Sequence, residues 1–307
     1  MSSHVAVLMG GRSAERPVSL TSGKACAQAL RTGGYHVTEI DVGADLAARL
    51  LEVKPDVVFN ALHGRWGEDG CVQGLLELLE LPYTHSGVRA SAVAMYKPSA
   101  LEVFRAHDIP CAESCLSTVA AVNEKDPLER PYVVKPPSEG STFGVRIVWA
   151  GDNQPPVGSD WHYGDDVLAE RYVPGRELTV AVMDGKALGV TEILTDDGFY
   201  DYDAKYADGG SRHVVPALIH ADVYAVALEL SERAHAALGC RGVSRADFRY
   251  DDTGDDTGGE PGALYMLEIN TQPGMTPTSL VPELAAHNNI DFPALVRWMV
   301  EDAGCPR

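Results

Sequence analysis

The sequence predicts two architectures in one chain: an α/β first third with a parallel sheet, then an α+β remainder built on antiparallel strand pairs. Three observations carry this expectation. Up to about residue 81, short apolar runs alternate with segments of helical period. Beyond residue 130, strands come in pairs across glycine-rich turns. A length of 307 residues is also enough for roughly two or three domains.

The first element is the continuous apolar run Val5-Ala6-Val7-Leu8-Met9, a buried strand that stops at Gly10-Gly11. The spacing then predicts a helix over roughly Val18 to Arg31, closed by Gly33-Gly34. His36–Val42 alternates as a strand, Leu46–Val53 has helical period, Asp56–Asn60 reads as a buried strand and Val72–Leu81 as a short helix. Ligands of such sheets gather at the carboxyl ends of the strands, which here are Gly10-Gly11-Arg12 and Asn60-Ala61-Leu62-His63-Gly64. After Lys97-Pro98, a helix with apolar Leu101, Phe104 and Ile109 leads to Pro110. Tyr132–Lys135 and Val145–Trp149 are strands flanking a loop, 136–144, whose glycines and serines expose backbone N–H groups. Leu178–Met183 and Ala187–Leu194 form a hairpin through Asp184-Gly185-Lys186. A helix with Val223, Ala227, Leu230, Ala234 and Leu238 on one face ends at Gly239. Ala246–Tyr250 and Ala263–Ile269 are strands joined by an acidic, glycine-rich loop, and Phe292–Val300 is a closing helix. An active site is expected in the cleft between the two architectures.

Composition excludes several classes. A content of 45% hydrophobic and 22% charged residues is an ordinary globular balance. With 25 lysines and arginines against 44 acidic residues the net charge is −19, so neither nucleic acid nor a membrane surface is an expected partner. An anionic substrate then needs a local basic site. The first apolar run is too short for a signal peptide, and no uncharged stretch reaches the roughly 18 residues of a membrane span. Six dispersed cysteines without a C-x-x-C read as reduced thiols of a cytoplasmic protein.

Asp247 lies on one predicted strand, and Glu268 and Asn270, two apart, share a face of the next. Three such oxygen donors could hold one or two hard cations such as Mg²⁺. A solvated acidic pair is the alternative, and it loses weight because Glu268 sits inside the apolar run Leu264–Ile269, where an unpaired charge is costly. Lys135 ends a strand beside the glycine-rich loop, and Lys97 precedes a proline-started helix; together with that loop they suit a nucleotide's phosphates. No G-x-x-x-x-G-K-[ST] or G-x-G-x-x-G is present, which argues against a P-loop or dinucleotide site. Arg245, two residues before Asp247, is open to two readings: stabilising an oxyanion beside a metal, or an ion pair with Glu268.

The motifs that combine these residues are long. Gly10-Gly11-Arg12-Ser13-Ala14-Glu15-Arg16-Pro17-Val18-Ser19-Leu20, Ala61-Leu62-His63-Gly64, Val134-Lys135-Pro136, Glu139-Gly140-Ser141, Phe199-Tyr200-Asp201-Tyr202-Asp203-Ala204-Lys205-Tyr206 and Leu267-Glu268-Ile269-Asn270-Thr271-Gln272-Pro273-Gly274-Met275-Thr276 stand in one order. Over almost its whole length the sequence resembles the D-alanine:D-alanine ligases of the ATP-grasp superfamily. The resemblance implies a three-domain ATP-grasp fold: 1–97 as an N-terminal, Rossmann-like α/β domain that binds substrate, 98–175 as the central ATP-grasp subdomain, and 176–307 as the C-terminal domain with the metal and catalytic site.

It also implies an activity: ATP-dependent joining of two D-alanines through a D-alanyl phosphate, releasing ADP and phosphate, for peptidoglycan precursor synthesis. ATP would lie between the central and C-terminal domains, on Lys97, Lys135 and the loop residues Glu139, Gly140 and Thr142. Adenine would meet Glu170, Arg171, Tyr172 and Val173, ribose would meet Glu177, and Lys205 would lie close by. Asp247, Glu268 and Asn270 match the family's ligands for Mg²⁺ or Mn²⁺, with two ions expected. Glu15 matches the anchor of the first ammonium, with His63 beside it, and Glu15, Ser141 and Tyr206 match a hydrogen-bonded triad. Arg245 and the Gly274 N–H match the oxyanion site, and Ser279 and Leu280 the pocket of the second D-alanine. A homodimer is implied by the relatives. The sequence departs from the family's common pattern at Pro17, Pro137, the irregular stretch 150–160 and Ser211-Arg212-His213. Two rival readings are another ATP-grasp ligase acting on a different carboxylate and amine, and a catalytically silent nucleotide-binding regulator.

Overall fold

The computed structural model describes residues 3–195, 212–253 and 262–305. In the first part, β1 (His4–Met9), α1 (Arg16–Thr32), β2 (His36–Asp41), α2 (Leu46–Val53) and β3 (Val57–Asn60) build a parallel sheet in the order β2-β1-β3. Helices α1 and α2 cover opposite faces, so every residue of β1 from Val5 to Met9 is buried and its run is apolar without alternation. The helices α3 (Cys71–Leu78), α4 (Val88–Met95) and α5 (Lys97–Ala106) follow.

Two predicted helices end earlier than expected, and by the same device. At the end of α3, Glu80 takes φ +53° and the Leu81 N–H donates to Leu76 O. At the end of α5, Asp108 takes φ +53° and the Ile109 N–H donates to Phe104 O. Both are left-handed C-terminal stops on a residue other than glycine, which the sequence does not advertise.

The second sheet contains β4 (Ser114–Thr118), β5 (Tyr132–Lys135), β6 (Arg146–Val148) and β7 (Asp166–Arg171), antiparallel in the order β4-β7-β5-β6, with α6 (Val119–Glu124) beside it. The third contains β8 (Arg176–Met183), β9 (Lys186–Leu194), β10 (Arg212–Val214), β11 (Val243–Asp251) and β12 (Ala263–Asn270), in the order β10-β9-β8-β11-β12. Helix α7 (Ala221–Leu238) lies between β10 and β11 in the chain, and α8 (Leu280–His287) and α9 (Phe292–Asp302) close it. The parallel α/β start and the antiparallel remainder are as expected; β4, β10, α4, α6 and α8 were not anticipated as separate elements.

The packing interlocks these parts. One core joins α4 and α5 to α7 and the third sheet through Leu101, Phe104, Leu230 and Phe248. Another joins β1 and α1 to Met275, α8 and α9 through Val5, Met9, Leu284 and Leu295. The segment after β12 is thereby seated on the first sheet. Residues far apart in sequence meet there.

Candidate active site

Two neighbouring cavities lie along the seam of the sheets. The larger is about 680 Å³ and the smaller about 140 Å³. Both are lined by Lys97, Glu139, Gly140, Ser141 and Glu268, which therefore form their common wall.

Strand register sets the centre of that wall. Asp247 on β11 lies directly opposite Glu268 on β12, and Arg245 opposite Asn270. The register shifts just past Asp247, pairing Phe248 with Met266 and leaving Leu267 as the extra residue. The bulge keeps Met266 in the core while Leu267 and Glu268 both line the smaller cavity. Glu268 is consequently not an unpaired charge inside an apolar run: it reaches the cavity wall, and its carboxylate lies 3.1 Å from Lys97 Nζ. The ion pair considered between Arg245 and Glu268 is made with Asp247 instead, in a bidentate contact at 2.9 and 2.6 Å. Thr179, opposite Asp247 on β8, adds a hydroxyl that donates to the same carboxylate at 2.6 Å.

Carboxylates directly opposite on neighbouring strands repel unless cations sit between or beside them. Here Lys97 and Arg245 do so. Asp247, Glu268 and the Asn270 carbonyl supply only oxygen donors, a set that fits a hard divalent ion such as Mg²⁺ or Mn²⁺. Among the described residues no three His, Cys, Asp or Glu side chains converge on one point, so such an ion would complete its shell with Asn270 and ligand oxygens.

In the smaller cavity, Lys135 at the end of β5 is buried and ion-paired with Glu170 at the end of β7. Arg171, Tyr172 and Val173 continue along the wall. Glu177 on β8 faces Arg249 across the β8–β11 ladder at 3.7 Å. Over this cavity lies the loop 138–144, in which Ser141 and Thr142 take φ +49° and +64°. Lys97 ties the loop down by donating from Nζ to Glu139 O at 2.7 Å and from its backbone N–H to Pro137 O at 2.9 Å. Lys97 and Lys135, expected on phosphates, thus each rest on a carboxylate of the chain.

The larger cavity is built from strand ends and turns. Glu15 caps the start of α1 and accepts a hydrogen bond from the Ser141 hydroxyl. Gly64 takes φ +72°, and a side chain there would collide with the Glu15 carboxylate. His63 is buried, with Nδ1 3.1 Å from Glu68 and Nε2 3.2 Å from the Ser22 hydroxyl. Behind it His85 is buried against Phe59, and loss of water pushes its pKa down to about 3, so the ring stays neutral and adds no charge to the cavity. At the far end Ser279 caps α8 and accepts from the Thr276 N–H at 3.1 Å, Gly274 lies against it, and Leu280 is buried on Ile193. Tyr206 and Lys205 lie outside the described residues.

Several residues that hold the site together were not singled out from the sequence. Asn60, at the carboxyl end of β3, donates to Gln272 Oε1 at 2.7 Å and to Gly67 O at 3.1 Å, tying the turn after β12 to the first sheet. Ser22 meets both His63 and the Met275 N–H. Thr179, Glu68 and Arg249 each hold a site side chain. Only Asn60 had a cue, its position at a strand end.

Comparison with known proteins gives one consistent result. Residues 101–301 match the family model described as D-ala D-ala ligase C-terminus, and residues 43–86 match D-ala D-ala ligase N-terminus. The chain is 61% identical over 307 residues to a D-alanine–D-alanine ligase of Parvibaculum lavamentivorans, covering 99% of this chain and 98% of that protein. It is 59% identical over 309 residues to one of Rhodospirillum rubrum, covering 99% of each. Among solved structures, a D-alanine–D-alanine ligase from Bacillus anthracis matches with a TM-score of 0.81 and 30% identity over 98% of this chain and 97% of that one. A structure of D-alanine–D-alanine ligase from the same organism complexed with ATP matches with a TM-score of 0.78 and 26% identity, over the same shares.

Proposed function

The chain belongs to the D-alanine–D-alanine ligase family, and on that premise we propose how its residues carry the reaction. It is an ATP-dependent ligase that joins two D-alanines, releasing ADP and phosphate, in the supply of peptidoglycan precursor. A carboxylate is a poor acyl donor, so a carboxylate oxygen of the first D-alanine attacks the γ-phosphorus of ATP and ADP leaves. The free amine of the second then attacks the acyl carbon, phosphate leaves and the nitrogen loses a proton. The observation that supports this reading is the common wall of the two cavities, across which a ligand held in one would meet a ligand held in the other.

ATP places its base in the smaller cavity and its phosphates at the common wall. Lys97 and Lys135 turn from Glu268 and Glu170 to share their charge with phosphates, while Glu139, Gly140 and Thr142 offer the loop above. Glu170, Arg171, Tyr172 and Val173 meet adenine, Glu177 meets ribose, and Lys205 is assigned to ATP binding by the family match alone. Asp247, Glu268 and Asn270 would hold Mg²⁺ or Mn²⁺, with two ions expected, and the metal would supply positive charge against the phosphates. Glu15 binds the ammonium of the first D-alanine beside His63, and Ser141 and Tyr206 orient it. Arg245 and the Gly274 N–H face the oxyanion, and Ser279 and Leu280 receive the second D-alanine. Closing the cavity over the acyl phosphate excludes the water that would hydrolyse it.

The partition 1–97, 98–175 and 176–307 is the matching domain division. No helix among the described residues is long and apolar enough to cross a membrane. A cytoplasmic homodimer, with no nucleic-acid or membrane partner, is the assembly that suits this reading. Incubation with ATP, Mg²⁺ and D-alanine tests it, with equal yields of D-alanyl-D-alanine, ADP and phosphate expected. Phosphate release without dipeptide would point to another carboxylate and amine pair; no multiple turnover of ATP would leave a silent nucleotide binder.

A further inference from the structure

We infer that His213, bonded to Glu283, is a positioning residue for the second D-alanine: it quenches an acidic side chain that would otherwise stand beside that substrate's carboxylate. The inference rests on the proposed seat of this amino acid at Ser279 and Leu280. Neither His213 nor Glu283 belongs to the machinery described above, and the departure at Ser211-Arg212-His213 had no role in it.

His213 lines the larger cavity together with Ser279 and Leu280. Its Nδ1 lies 2.9 Å from a carboxylate oxygen of Glu283, whose side chain is 34% exposed against 18% for His213. An imidazole N–H can donate to a carboxylate whether the ring is neutral or charged. Glu283 is in the first turn of α8, its backbone N–H donating to Ser279 O at 2.9 Å. It therefore stands one helical turn, about 5.4 Å, beyond the cap. Glu283 itself is not among the residues lining either cavity, so its carboxylate bears on the larger one by way of His213.

The start of α8 otherwise attracts an anion. The first-turn N–H groups of Leu280 and Val281 and the positive end of the helix dipole favour an anion, here the substrate carboxylate proposed at Ser279. An unquenched Glu283 competes for the same field and repels the ligand through partly buried surroundings, where screening by salt is weak. The strand pair that delivers His213 is already fixed to this turn: His213 on β10 is in register with Ile193 on β9, and Ile193 packs on Leu280. An apolar contact from β9 and a polar contact from β10 thus join this strand pair to α8.

The test uses the full chain and the variants His213→Ala, His213→Asn and His213→Ala/Glu283→Gln. Phosphate release is followed over a wide range of D-alanine concentration, so that the first and second Michaelis constants separate. His213→Ala should raise the second KM by roughly five- to tenfold with the first KM unchanged. His213→Asn, which keeps an N–H donor, should lie nearer the parent, and the double variant should return to within about twofold of it. An unchanged second KM in His213→Ala overturns the inference. So does a double variant as impaired as the single one, the mark of a packing role. Should His213→Ala not fold, Glu283→Gln alone decides: its second KM should be equal to or below that of the parent, and a raised one overturns the inference. A parent protein that releases phosphate but forms no dipeptide removes the underlying reading and this inference with it, whereas failure of the inference alone leaves the parent's dipeptide yield intact.

Discussion

The two cavities meet at one wall but are held by different means. Around the smaller one, charges are balanced along strands: Asp247 with Thr179 and Glu268 to either side, Glu177 across from Arg249, and Lys135 at one strand end with Glu170 at the next. Around the larger one, polar groups are held by distant turns: Ser13 donates to His63 O at 2.6 Å, Asn60 to Gln272, and Ser22 links His63 to Met275. The proposed nucleotide side is therefore a product of sheet register, and the proposed amino-acid side a product of how the sheets are assembled. Disturbing one should leave the other largely intact, except at the wall they share.

The largest effect is expected at that wall. Glu268→Ala removes a carboxylate proposed to hold metal and frees Lys97 from its partner, so turnover should fall by a thousandfold or more (roughly 4 kcal/mol) at any practical Mg²⁺ concentration. A kcat near that of the parent would remove Glu268 from the site.

Away from the wall the two sides should separate. Lys135→Met alone leaves Glu170 buried without a counter-ion, a cost of about 3–5 kcal/mol in stability, so the informative variant is Lys135→Met/Glu170→Gln. In it KM for ATP should rise on the order of a hundredfold while KM for D-alanine moves little. The mirror change, Glu15→Gln, should raise the first KM for D-alanine by about tenfold and leave KM for ATP near the parent. Both constants moving together in either protein would show that the cavities respond as one.

The same contrast explains what could be read from the sequence. Strand period alone puts Glu268 and Asn270 on one face and Arg245 beside Asp247, and the apolar run Val5–Met9 announces a doubly covered strand. These are local regularities, and they gave the parallel sheet, the β8–β9 hairpin and the strand pair that brings Asp247, Glu268 and Asn270 together. The bulge at Leu267 was illegible, because a continuous apolar run gives no sign of where its alternation slips. The stops at Glu80 and Asp108 were hidden because neither residue is glycine. The Asn60–Gln272 bond spans 212 residues and exists only because α8 and α9 seat the last turn on β1 and α1. No window of sequence contains it. The roles of Glu15, Ser141 and Ser279 came from family resemblance for that reason.

The smallest effect sharpens the comparison most. Thr179 is fully buried on β8, and its hydroxyl donates to Asp247 at 2.6 Å, holding that carboxylate from the sheet side while Arg245 holds it from its own strand. Thr179→Val keeps the branched shape and deletes only the donor. A hydrogen bond of this kind is worth about 1–2 kcal/mol, so the Mg²⁺ concentration for half-maximal rate should rise by roughly five- to thirtyfold. Thr179 lines neither cavity, and Asp247 lines only the smaller, so both D-alanine constants should stay within about twofold of the parent. An unchanged metal requirement would reduce Thr179 to a packing residue. A rise in the D-alanine constants equal to that in the metal requirement would mean that the carboxylate's orientation is transmitted through Glu268 into the larger cavity, and that register governs both sides.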